Sequence, residues 1–197
     1  QFGSGMIFRS FEDRTLGINN SIEGVFGSYS YENILTLKGL YGRPRLYTDY
    51  TDSWVRGADL SFSVANLIGW QGIMLNLESS YVNRNEKVSD ELAELMKPNL
   101  DMYSARANFD WNGFNGRVEY VDKGKDVSSA LLGATAKGHG LLAELGYSNN
   151  GFSVLGTYRE LKYMSTKLSL DGSGVGNILN YLPALTRQYT YMLANLN

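Results

Sequence analysis

The single histidine, His139, stands in Gly138-His139-Gly140 and is the side chain best placed to exchange a proton near neutral pH. As a general base it would serve a hydrolase, which also needs a nucleophile within reach and a group to orient the ring. No Ser or Asp lies at a recognisable spacing, so His139 reads as a residue at the end of a loop. Asp171-Gly172-Ser173-Gly174-Val175-Gly176 has the glycine content of a phosphate cradle or a Ca²⁺ loop. It lacks the following Lys, the βαβ context and the repeated acidic ligands, and reads as a loop. The sequence has no Cys, which removes thiolate chemistry, disulfides and Cys-based metal sites. No catalytic, cofactor-binding or metal-binding residue is therefore expected, and an enzyme is not. Eighteen Lys and Arg against 20 Asp and Glu give a net charge of −2, without the basic excess of a nucleic-acid binder.

What remains is charge arranged in rows. In Tyr103-Ser104-Ala105-Arg106-Ala107-Asn108-Phe109-Asp110-Trp111 the apolar and polar residues alternate strictly, the pattern of a strand with one face of each kind. Asn112-Gly113 is a two-residue hairpin signal, after which Phe114, Gly116, Val118 and Tyr120 alternate with Asn115, Arg117 and Glu119. Leu141 to Tyr147 and Phe152 to Arg159 repeat the pattern across Asn149-Asn150-Gly151. Ala58 to Val64 and Ile73 to Tyr81 do so across a poorly marked turn at Ala65 to Gly72. Leu35 to Tyr41, a noisier Ile22 to Tyr29, Met6 to Glu12 and about Thr186 to Leu196 complete ten expected strands.

The connections alternate in length. Short turns lie near Ser30–Glu32, Leu67–Gly72, Asn112-Gly113 and Ser148–Gly151. Long polar connections cover Asp13–Asn19, Arg43–Ser53, Arg84–Leu100, Asp122–Gly138 and Met164–Pro183. Within one of them, Ser89-Asp90-Glu91 opens a candidate short helix through Met96, with Val88, Leu92 and Leu95 on one side. In an up-and-down meander this places every tight turn at one end and every long loop at the other, the asymmetry of a transmembrane β-barrel.

A soluble lipocalin-like barrel binding a small apolar ligand is the alternative, and it has the opposite sense, apolar inside. Three features favour the membrane. Charges of both signs occupy mid-strand positions, aromatics gather near strand ends, and the segments suit a tilted strand of about 9–11 residues crossing hydrocarbon. The lumen-facing charged residues are then Glu78, Arg106, Asp110, Arg117, Glu119, Glu144 and Arg159. The lipid-facing or girdle residues are Tyr103, Phe109, Trp111, Phe114, Val118, Tyr120, Leu145, Tyr147, Phe152 and Tyr158. About ten strands nearly fill their own lumen with side chains, so free diffusion of solutes would need more.

Gln1-Phe2-Gly3-Ser4-Gly5-Met6-Ile7-Phe8-Arg9, Leu16-Gly17-Ile18-Asn19-Asn20-Ser21 and Asn180-Tyr181-Leu182-Pro183-Ala184-Leu185-Thr186-Arg187-Gln188-Tyr189 resemble stretches of an uncharacterised outer-membrane β-barrel family of Gram-negative bacteria, a domain-of-unknown-function group. The resemblance implies a barrel longer than 197 residues, of which this chain is an excerpt. The absence of a leader and of a terminal aromatic at Asn195-Leu196-Asn197 agrees. It carries over no catalytic or ligand residue. The expectation is one all-β domain over residues 1–197, an antiparallel up-and-down barrel in the outer membrane. Its expected role is structural or in transport or assembly, as a porin-like pore or a subunit of a larger complex. Its partners would be the lipid bilayer and other outer-membrane or surface proteins.

Overall fold

The computed structural model describes residues 2–8, 12–13, 18–46, 49–87, 98–126, 135–167, 170 and 179–180. Its frame is one antiparallel sheet. The elements are β1 (Glu12–Asp13), β2 (Ile18–Tyr31), β3 (Leu35–Leu46), β4 (Asp49–Tyr50), β5 (Ser53–Ser63), α1 (Val64–Ile68), β6 (Ile73–Glu86), β7 (Asn99–Trp111), β8 (Phe114–Asp126), β9 (Ala136–Asn149) and β10 (Phe152–Lys162). The strand order is β1-β2-β3-β5-β6-β7-β8-β9-β10, with β4 flanking β3.

Turn chemistry explains the tight end. Asn112 and Gly113 adopt φ of 48° and 85°, and Asn150 and Gly151 adopt 47° and 85°, the left-handed pair whose twist matches the flanking strands. Between β2 and β3, Glu32 and Asn33 take positive φ and Ile34 N donates to Tyr31 O at 2.9 Å. At the other end the strands run further than their alternation alone suggests. Arg43–Leu46, Arg84–Glu86, Asn99-Leu100, Asp122, Lys123 and Asp126 are ladder residues, with a register shift between the last two, and β9 already begins at Ala136. Strand pairing absorbs much of what composition marks as loop.

Four expectations are corrected. Met6 to Glu12 is not one strand: Ile7 N and Phe8 N both donate to Ser4 O, and Met6 N to Ser4 Oγ, closing a turn, and of the described residues in this stretch Glu12 pairs with β2, together with Asp13. The Ala65–Gly72 turn contains α1, ended by Gly69 in the left-handed region with φ 72°. His139 lies inside β9, opposite Asp122 and Lys162, rather than in a loop. The sheet also remains open. A barrel closes when its first and last strands pair, whereas among the described residues β2 pairs with β3 and β1, and β10 with β9 alone. Thr186–Leu196, Ser89–Met96 and Asp171–Gly176 lie outside the described residues.

The registers shear steadily across the sheet. Tyr31, the last residue before its turn, shares a row with Leu35, Phe62, Leu77, Ala107, Val118, Ala143 and finally Tyr158, near the middle of β10. Among the described residues, one face of this sheet is covered by Phe2–Phe8 and by Met164–Lys167, Leu170, Leu179 and Asn180, none of them in a strand. Phe2, Met6, Ile7, Phe8, Met164 and Leu179 pack there against Val55, Val82, Leu100, Met102, Val121 and Leu142. Gly57 provides the notch for Phe2, because a Cβ there would stand 2.7 Å from the ring's Cζ. Asn180 fastens the cover: its Nδ2 donates to Met6 O (2.9 Å) and Met164 O (2.7 Å), and its Oδ1 accepts from Thr166 N (3.2 Å).

Candidate functional site

The covered face carries charge as well as apolar packing, in layers that follow from the strand sequences. Along β8, Glu119, Val121 and Lys123 point to that face in turn; along β6, Glu78, Ser80, Val82 and Arg84 do. Towards the turn end, Arg106 on β7 is 7% exposed and faces two carboxylates. Its Nη2 is 3.0 Å from Asp59 Oδ1 and its Nε 2.7 Å from Glu78 Oε2. Asp59, 4% exposed, also accepts from Ser80 Oγ at 2.6 Å and lies 3.7 Å from Lys38 Nζ. Glu119, fully buried, accepts from Arg117 Nη2 (2.6 Å), from Ser104 Oγ (3.1 Å) and from Ser4 Oγ of the covering segment. The cover is thus bound to the charged layer as well as to the apolar one.

Beyond the apolar layer lies a second charged tier. Arg84 and Lys123, both without exposed side chain, flank Asp126 at 3.6 Å each. Arg84 Nη1 donates to Lys167 O (2.5 Å), Lys123 Nζ to Ser165 O (2.7 Å), and Glu86 Oε2 accepts from Leu170 N (2.8 Å). Long cationic side chains from the strands therefore hold the backbone of the segment after β10 by charge-assisted hydrogen bonds.

The other face is open and banded along the strands. Near the turns, Phe114 and Tyr147 lie with ring centroids 4.5 Å apart beside Trp111. Then come exposed Leu60, Leu77, Val118 and Leu145, the last 57% exposed. A row of Tyr81 and Tyr103, with ring centroids 5.1 Å apart, follows. Beyond it the face turns polar: Arg56 Nε donates to Asn83 Oδ1 (3.0 Å), Asn83 Nδ2 to Asp101 Oδ1 (2.8 Å) and Tyr81 Oη to the same oxygen (2.6 Å). At the loop end, Tyr50 Oη donates to Glu23 Oε2 at 2.5 Å, a hydrogen bond that raises the phenol pKa above its ordinary value.

The model of a family described as a family of unknown function, DUF6029, matches residues 1–197. The chain belongs to this family. Its description names neither a membrane nor a barrel, and no curated protein and no solved structure matches the chain.

In this DUF6029 chain the sequence-expected charges share the covered face by register, but they do not all meet. Glu78, Arg106, Arg117 and Glu119 join the network. Asp110 is exposed, and half-buried Glu144 and Arg159 stand outside the network. On the open face Tyr103, Trp111, Phe114, Val118, Tyr120, Leu145, Phe152 and Tyr158 are exposed, while Phe109 and Tyr147 are half-buried. Lys38 and Asp59 fall on the polar positions of the alternating segments Leu35 to Tyr41 and Ala58 to Val64, whereas Arg84, Glu86, Lys123 and Asp126 were missed as members of the charged face. At Arg84 and Glu86 the alternation gives no signal, because Val82 falls on their face and Asn83 and Asn85 on the other. His139 has Glu160 Oε1 3.8 Å from its Nε2 on the open face. Among the described residues no group of acidic, His or Cys side chains converges as a metal site, and no helix is long and apolar enough to cross a membrane.

Proposed function

We propose that this chain forms wall of an outer-membrane β-barrel, its open face against lipid acyl chains and its covered face turned to the lumen. The observation that carries this reading is the inverted sense of the sheet. Val25, at 75% exposure, and Leu145 stand bare while Arg106, Glu119 and Asp59 are buried. A soluble sheet places its aliphatic residues the other way, whereas a membrane wall requires charge within and apolar surface without.

Two further features support it. The open face passes from paired aromatics through aliphatic residues to Tyr81 and Tyr103, and then to amides and carboxylates with Tyr41 and Trp54 among them, the order met on crossing from one interface through hydrocarbon to the other. The steady register shear is the stagger that lets tilted strands curve into a cylinder. Closure of that cylinder belongs to the proposal. With its lumen side covered by Phe2–Phe8 and by the described residues Met164–Lys167, Leu170, Leu179 and Asn180, the wall suits a structural, assembly or gated transport role among outer-membrane or surface proteins better than an open pore.

The experiment uses the absence of native cysteine. An environment-sensitive fluorophore at Val118→Cys and Leu145→Cys is expected to report a hydrocarbon setting in reconstituted vesicles, and the protein to need detergent in solution. A chain monodisperse in detergent-free buffer, with both labels reporting water or a dry protein interior, overturns the reading in favour of a soluble barrel.

A further inference from the structure

The connection between β5 and β6 differs from the tight turns beside it. Ser63↔Asn76 is the last pair of β5 with β6, so Ile73–Leu75 continue paired with β7 alone and leave a notch along the free flank of β6. Helix α1 packs along β6 at that notch. Ala65 is buried, and Asn66 Nδ2 donates to Asn33 O of the β2–β3 turn at 2.9 Å. Both residues line a polar cavity of about 260 Å³ with Ser61, Ser63 and Asn76. The helix is thus tied down on its polar side. Leu67, Ile68 and Trp70, the last at 53%, remain exposed, and no charged residue occurs from Val64 to Met74.

We propose that Leu67, Ile68 and Trp70 form an interfacial lipid anchor, seated at the boundary between headgroups and acyl chains. The inference rests on the membrane-wall reading and extends it to an element that is not a strand. Lipid is favoured over a protein partner by continuity: Ile73, three residues after Trp70, shares a row with Trp111, Phe114 and Tyr147. The anchor carries that aromatic level across the notch where β5 has ended. A segment with an indole, two aliphatic side chains and no charge inserts by apolar area and not by attraction to anionic lipid.

Two single-tryptophan proteins test this, one keeping Trp70 (Trp54→Phe, Trp111→Phe) and one keeping Trp111 (Trp54→Phe, Trp70→Phe). Each is reconstituted in phosphatidylcholine brominated near the glycerol end of its acyl chains. Both tryptophans are expected to be quenched, Trp70 within about twofold of Trp111, with no change on adding anionic lipid or salt. Adding Leu67→Ser and Ile68→Ser to the Trp70 protein is expected to lower its quenching at least about twofold. The Trp111 protein carrying the same serines reports whether the sheet is intact, and its quenching is expected to stay unchanged. Quenched Trp111 with unquenched Trp70 overturns the anchor and leaves the wall standing. If neither is quenched, both readings fall.

Discussion

At Arg106 one guanidinium answers two carboxylates, Glu78 on the adjacent β6 and Asp59 on β5 beyond it; Arg106 and Asp59 are withdrawn from water and Glu78 is partly so. Removing one partner of such a group strands the others. Arg106→Met is therefore expected to cost about 3–5 kcal/mol in denaturant unfolding followed by tryptophan fluorescence. Neutralising the set together, Asp59→Asn with Glu78→Gln and Arg106→Met, should recover most of that loss. A single variant as stable as the parent would show that the ion pairs contribute nothing. At Gly57 the issue is space: a leucine there must displace Phe2. Amide hydrogen exchange over Phe2–Phe8 is expected to rise about tenfold or more in Gly57→Leu while the central strands keep their protection. Parallel loss of protection in both would mean that cover and sheet unfold as one unit.

The hairpins are the elements most dependent on a few residues. Gly113 sits at φ 85°, its carbonyl accepts from Ser148 N at 2.8 Å, and an added Cβ would stand 2.4 Å from Ser148 O. Gly113→Ala is expected to destabilise the β7–β8 hairpin by about 1–3 kcal/mol, read from the unfolding midpoint. The corresponding change at Gly151, whose added Cβ has no neighbour within 4 Å, should cost less. Equal losses at the two sites would place the whole effect in the backbone angle. These turns were legible in the sequence because Asn-Gly has one dominant use between alternating segments. The ends of the strands were not, because Arg, Asp, Lys and Glu read as loop until the ladder shows them paired and covered. Met6 to Glu12 misled for the opposite reason. Apolar residues that serve a cover lying across a sheet have the composition of a strand, and nothing local marks the turn that Ser4 closes.

For the whole molecule, the question is which medium meets the open face. Alternation located both faces at Tyr103–Trp111 and Phe114–Tyr120, but a period of two cannot name the covered one; only burial distinguishes them. Val118→Arg and Leu145→Arg are expected to cost about 2–4 kcal/mol each when unfolding is measured in bilayers. On a water-facing surface the same changes would fall within about 0.5 kcal/mol. Values at that lower level in lipid would remove the hydrocarbon from this face. The site was only partly legible: Arg106 and Glu119 follow from their strands, whereas their bond to Ser4 joins parts of the chain that no spacing rule connects.

The clasp that Asn180 makes with Met6 and Met164 also bears on the order in which the molecule takes shape. The Met6 contact spans 174 positions of the sequence and the Met164 contact 16, so the first waits on the long-range strand pairing that builds the surface beneath it. A nascent sheet therefore meets its surroundings with Val55, Val82 and Met102 bare on one side and the aliphatic band bare on the other. During that interval it is vulnerable to aggregation on both sides, and the clasp ends the exposure of the covered face alone.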